Sequence, residues 1–204
     1  MKIKIQKRRE RRKGFRYTFA RLVLKLLGWK IEYKLPESPK FILVAAPHTS
    51  NWDLPVMLLI SMAIGIQLHW VAKDSLFKGW FGRYLRWLGG IPVNRASRTN
   101  FTEQVVRVFN NFEQLIIVIS PEATRSRSDY WRTGFYHIAQ GAKIPIALGF
   151  LDYGRKTGGI GPAIMPCGNI GDDFSVIREF YKDITGLKPE NFGPVIPKPR
   201  QVEN

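Results

Sequence analysis

Cysteine is almost missing from this chain, with Cys167 standing alone among 204 residues. That excludes an intrachain disulfide framework and any centre built on several thiolates, and it suits a reducing compartment. Histidine is nearly as scarce, at three residues, with no His-x-x-x-His pair and no carboxylate cluster, so a catalytic metal is not expected. Neither G-x-G-x-x-G, G-x-x-x-x-G-K-[ST] nor G-x-S-x-G occurs, which argues against dinucleotide, P-loop and serine-hydrolase sites. Long apolar runs are absent too. The longest, Leu54–Ile66, has Pro55, Ser61 and Gly65 inside it and is too short to span a bilayer, so it reads as a buried helix. A secretory or twin-arginine leader is not expected, because Arg21 and Lys25 break the apolar stretch after Arg11-Arg12 and no small-residue cleavage site follows. Acidic residues are few: 16 against 32 Lys and Arg, a net charge of +16. Such an excess points to a polyanionic partner, nucleic acid or an anionic membrane surface.

Half of that charge is local. Residues 1–16 carry nine Lys or Arg and one Glu, hence +8. Phe15, Phe19, Leu22, Val23, Leu26 and Leu27 then recur at helical spacing, with Thr18, Arg21 and Lys25 on the other side. A basic tail running into a basic amphipathic helix is suited either to an interfacial membrane anchor or to packing on the domain's own core. We therefore divide the chain into a basic tail and docking helix (1–34), a globular domain (35–184), and an irregular tail (185–204) holding Pro189, Pro194, Pro197 and Pro199.

The globular part alternates. Phe41–Ala46, Gln67–Ala72, Ile91–Asn94, Leu115–Ser120 and Ile144–Leu151 read as strands; Leu54–Ile66, Leu76–Leu88, Thr102–Phe112 and Gly134–Gln140 read as helices. The expectation is an α/β fold, a mostly parallel central sheet flanked by helices on both faces. Such sheets place their chemistry in loops leaving the carboxyl ends of the strands. Three of those loops are polar: Pro47–Asp53, Asn94-Arg95, and Pro121–Ser126. His48 and Asp53 lie five residues apart across a strand-to-helix turn, where a carboxylate could hold an imidazole that takes a proton from an alcohol. Spacing alone does not establish this, since His69 and Asp74 share it; His69 falls within a strand. Ser50-x-x-Asp53 also fits a helix capping box. Arg95 and Arg125 suit a phosphate. Glu122 could accept from a hydroxyl, and Lys73 could reach a phosphate or simply be exposed.

His48-x-Ser50-x-x-Asp53, Gly90–Arg95, Pro121-Glu122-Ala123-Thr124-Arg125-Ser126 and Ile144-Pro145-Ile146 resemble the four ordered blocks of the glycerolipid acyltransferase family, which includes the bacterial 1-acyl-glycerol-3-phosphate acyltransferases. Val71–Phe77 is similar to that family's lysine-containing stretch. The resemblance implies transfer of a fatty acyl group from acyl-CoA or acyl carrier protein to a lysophospholipid hydroxyl, with no cofactor and no metal. It implies His48 as general base oriented by Asp53, and Ser50, Lys73, Arg95, Glu122, Thr124 and Arg125 as substrate-binding residues. The acceptor would be 1-acyl-glycerol-3-phosphate, giving phosphatidic acid, or a relative such as a lyso-ornithine lipid. A peripheral position on the cytoplasmic face of an anionic membrane follows. Two departures stand out: Ala123 replaces the usual glycine, and Pro47 precedes the histidine where asparagine is common. Aromatics interleaved with Lys78, Arg83 and Arg86 over 76–88 suit a bilayer interface and an acyl-chain groove, or a core helix. A non-catalytic basic binder of lipid or nucleic acid is the other class. It leaves carboxylates beside arginines unexplained, so no nucleic-acid partner is expected.

Overall fold

A computed structural model describes residues 14–94 and 98–199. The basic tail up to residue 13 and Arg95 lie outside the described residues. In chain order the elements are α1 (Phe15–Leu26), β1 (Lys30–Tyr33), β2 (Lys40–Ala46), α2 (Asp53–Ile64), β3 (Trp70–Lys73), a 3-10 turn (Asp74–Phe77), α3 (Gly79–Trp87), β4 (Gly90–Val93), α4 (Arg98–Asn111), β5 (Leu115–Ile119), α5 (Gly134–Ala142), β6 (Ile146–Asp152), β7 (Thr157–Ile164), α6 (Ile170–Tyr181) and a 3-10 turn at Pro189–Asn191.

Strand β2 lies between β6 and β5 and runs parallel to both. The sheet order is β1-β7-β6-β2-β5, with β6–β7 the antiparallel pair. Strands β3 and β4 pair in parallel as a separate ribbon. It is joined to β5 by a bridge in which His69 exchanges main-chain hydrogen bonds with Ile116 and Val118.

The apolar strand runs serve two cores because successive side chains point to opposite faces. Ile42, Val44, Leu115, Ile117, Ile146 and Leu148 face one way, packing with Val105, Phe109, Phe135, Ile138 and Phe174. Phe41, Leu43 and Ala147 face the other way, packing with Val56, Ile60 and Ile64 of α2 and with Ala20 and Leu24 of α1. Both faces are thus covered, as continuous runs without polar alternation require.

Four differences from the sequence reading have local causes. Residues 30–33, counted above with the docking helix, form an edge strand on β7. The span 76–88 is not one helix: the chain is extended at Lys78, turns through left-handed Gly79, and only then winds into α3. Gly82 must be glycine there, since a Cβ would lie 2.1 Å from the Phe77 carbonyl carbon. Strand β7 and helix α6 carry no sequence-level assignment above. In β7, Gly158, Gly159 and Gly161 dilute the strand pattern; they let Ile60, Glu32 and Phe180 approach the backbone closely. The tail after residue 185 is irregular but packed, with Val195 buried and Trp131 bridged to Pro197.

Candidate active site

Three neighbouring parallel strands, β6, β2 and β5, each deliver a residue at their carboxyl ends. After β2 the chain passes through the cis Ala46–Pro47 bond and presents His48 before α2 begins. The His48 imidazole Nδ1 lies 3.1 Å from Asp53 Oδ2. That same oxygen accepts the main-chain N–H groups of Thr49 and Ser50, each at 2.9 Å. Ser50 Oγ in turn accepts from Trp52 N–H at 3.2 Å. The capping box is only half formed: Asp53 reaches back to Ser50 N–H, but the N-cap of α2 is Trp52 and no side chain caps the helix, so this one oxygen ties the loop entering α2 to the histidine. With Nδ1 facing a carboxylate, the imidazole presents Nε2 as its free acceptor.

From the end of β6, the Tyr153 hydroxyl donates to the other oxygen, Asp53 Oδ1, at 2.9 Å. Burial raises the Asp53 carboxyl, but the bonds from His48, Ser50 N–H and Tyr153 outweigh it and hold it below its ordinary 3.8. It stays an anion.

From the loop after β5 comes Glu122, only 3% exposed, whose Oε1 accepts the His48 main-chain N–H at 2.9 Å. Its Oε2 is buried and meets no donor among the described residues. Burial, the largest effect, together with the Asp53 charge pushes its carboxyl up from 4.5 to about 7, against the opposing pull of His48. Next to it, Ala123 sits at φ 55, in the left-handed region that favours glycine. That is a backbone reason for glycine at this position in the resembled block.

An apolar cavity of about 230 Å³ runs between α2 and the sheet. Leu43, Met57, Ile60, Ile64, Val118 and Ile160 form much of its wall, and Pro47, His48, Asp53 and Arg125 lie at its polar end. The remaining residues singled out above are placed differently. Ser50 is buried with its hydroxyl taken up by Trp52 N–H, Lys73 ends β3 in solvent, and exposed Thr124 accepts from Ser126 N–H at 3.1 Å. The second His–Asp spacing forms no site of this kind: His69 is held neutral by burial within its bridge, and Asp74 accepts from Ser75 N–H at 2.8 Å.

Tyr153 is the site residue that motif reasoning missed. It lies two residues beyond the predicted strand Ile144–Leu151, so the rule that sends attention to strand ends would have found it had the loop after β6 been included. Arg127 was also missed. Its guanidinium donates to the Glu190 and Phe192 carbonyls and ties the Glu122 loop to the chain's irregular tail.

A family model described as Acyltransferase matches residues 30–147, which include the His48 and Glu122 loops. The chain belongs to the acyltransferase family. Curated relatives include 1-acyl-sn-glycerol-3-phosphate acyltransferases of Haemophilus influenzae (33% identical over 59% of this chain and 53% of that protein) and Escherichia coli (33% over 65% and 56%). The chain spans about half the length of the curated relatives it matches. A crystal structure of the 1-acyl-sn-glycerophosphate acyltransferase of Thermotoga maritima aligns over 82% of this chain and 74% of its own, at 19% identity and a TM-score of 0.49. Among the described residues of this acyltransferase-family chain, no helix is long and apolar enough to cross a membrane.

Proposed function

We propose that the protein moves a fatty acyl group from an acyl thioester, acyl-CoA or acyl carrier protein, to the free hydroxyl of 1-acyl-glycerol-3-phosphate, giving phosphatidic acid. The observation that carries this reading is the His48–Asp53 pair at the polar end of an apolar cavity. The acyl chain would lie in that cavity with its thioester carbonyl beside His48. His48 Nε2 takes the acceptor hydroxyl proton as the oxygen attacks that carbonyl, forming the new C–O bond. Collapse of the tetrahedral intermediate breaks the C–S bond, and the departing thiolate receives the proton from the imidazolium. Asp53, held as an anion, stabilises the imidazolium while it exists. Arg125 at the cavity end suits the acceptor phosphate, and Arg95 of the resembled second block is the other cation assigned to it. The 1-acyl-sn-glycerol-3-phosphate acyltransferase names of the curated relatives support this choice of acceptor.

The protein docks peripherally on an anionic membrane surface, on the cytoplasmic side where its thioester donors are found. Support comes from the faces left open. On α1, Ala20 and Leu24 pack inward while Phe15 (84% exposed), Phe19, Leu22 and Leu26 remain in solvent. On α3, Trp80 (75%), Phe81, Tyr84 and Trp87 (70%) form a chain of ring contacts in solvent beside Lys78, Arg83 and Arg86. Amphipathic rings flanked by cations match a headgroup layer.

The deciding experiment incubates the purified chain with acyl-CoA or acyl carrier protein and a panel of lysolipids, beside His48→Ala. Transfer to 1-acyl-glycerol-3-phosphate by wild type alone is the expected result. Transfer only to a lyso-ornithine lipid would reassign the acceptor, and no transfer at all, or full activity in His48→Ala, would end the reading.

A further inference from the structure

We propose that Tyr153 is a positioning residue of the acyl-transfer site, its hydroxyl fixing the second oxygen of Asp53 so that the first is held in line with His48. This rests on the acyl-transfer reading given above. The carboxylate has two oxygens with unequal duties. Oδ2 is crowded, meeting the His48 ring and two main-chain N–H groups. Oδ1 takes its hydrogen bond from Tyr153, 2.9 Å away and 100 residues along the chain. Bonds to both oxygens define the carboxylate plane, and with it the direction along which His48 Nδ1–H must point. Without Tyr153, the carboxylate keeps its neighbours on one oxygen and gains freedom to turn about it.

Tyr153 is itself held from two sides. Its main-chain N–H donates to Thr185 O at 2.9 Å, and its ring meets Trp29 edge-on, with centroids 5.0 Å apart. Trp29 lies in the short connection between α1 and β1. The phenol thus sits on a frame distinct from the loop it braces. Burial, then the Asp53 bond and charge, push its ionisation above the ordinary 10, so it remains a donor. Tyr153 does not line the apolar cavity, and it meets the site through Asp53.

The test is Tyr153→Phe in the full chain, which keeps the ring and its contact with Trp29. The expected result is a fall in kcat of about tenfold with KM for donor and acceptor within about twofold. The low-field proton resonance of the His48 Nδ1–H bridge should shift or broaden. In an Asp53→Asn background the same substitution should cost little more, because its effect passes through the carboxylate. Unchanged kcat with an unmoved resonance overturns the proposal. So does a loss that simply multiplies with Asp53→Asn, or a rise in KM with the resonance unmoved, either of which marks a packing role. Should wild type transfer no acyl group, the acyl-transfer reading fails by itself, while the resonance still decides whether Tyr153 orders the pair.

Discussion

The main-chain N–H of His48 donates to Glu122 Oε1 at 2.9 Å, joining residues 74 positions apart. A residue that the family resemblance assigns to substrate therefore anchors the backbone carrying the histidine. Because burial lifts Glu122 from 4.5 to about 7, it binds its proton more tightly in the folded chain than in the unfolded one. Such a group stabilises the fold fully below 4.5 and loses that contribution as pH rises through about 7. Across that window stability should fall by on the order of 3 kcal/mol from this group. Asp53, shifted downward, acts with the opposite sign and only below its ordinary 3.8. Glu122→Gln keeps an acceptor but cannot titrate, so urea unfolding from about pH 5 to about pH 8 should show a flatter slope than wild type. Coincident slopes would refute the assignment.

Asp53→Asn should reduce kcat by about 10²- to 10⁴-fold, since the imidazolium loses its counter-charge. It should also lower stability by about 1 kcal/mol, because the Thr49 and Ser50 N–H groups lose a charged acceptor. His48→Ala should match the kinetic loss and leave those two main-chain hydrogen bonds intact. Rate measurements paired with thermal melts separate the two, and equal destabilisation by both variants would contradict the shared-oxygen arrangement.

Ala123 holds a left-handed backbone at a cost that glycine avoids. Ala123→Gly should raise stability by about 0.5–1 kcal/mol with activity retained, and Ala123→Val should lower it. Denaturant midpoints check both signs.

Ser61 is a small residue on the cavity wall, eight positions beyond Asp53 along α2. At 1.5 Å per residue that places it about 12 Å from the polar end. Ser61→Phe should reduce kcat/KM for long-chain donors at least about tenfold while sparing short ones, because the added ring fills the far part of the cavity. Equal losses for every chain length would place the acyl group elsewhere.

Removing two exposed rings together, Trp80→Ala with Trp87→Ala, should weaken partition onto phosphatidylglycerol vesicles by roughly tenfold. The remaining binding should fall with added salt as the cations are screened. Cosedimentation reads both effects. Unaltered partition would leave the α3 rings without a membrane role.

Legibility in the sequence followed the kind of interaction involved. Strands β2 and β5 were plain because both their faces are buried and their side chains are continuously apolar. Strand β7 was obscured because its glycines answer to neighbours that come together only in the fold, Glu32 and Phe180 among them. The His48–Asp53 pair was legible because both partners lie within one six-residue segment, 48–53. Its brace by Tyr153 and its anchor on Glu122 were not, since each depends on which strands lie beside β2. Nor does spacing reveal that a glutamate beside arginines points inward to a main-chain N–H instead of outward to a substrate.

The oxygen that both fastens the loop entering α2 and steadies His48 ties competence to local folding. If the loop between β2 and α2 opens, the Thr49 and Ser50 amides meet solvent and the imidazole loses its partner in the same event. Hydrogen exchange at those two amides should then report the fraction of molecules able to react, because the closed turn and the aligned histidine form one cooperative unit.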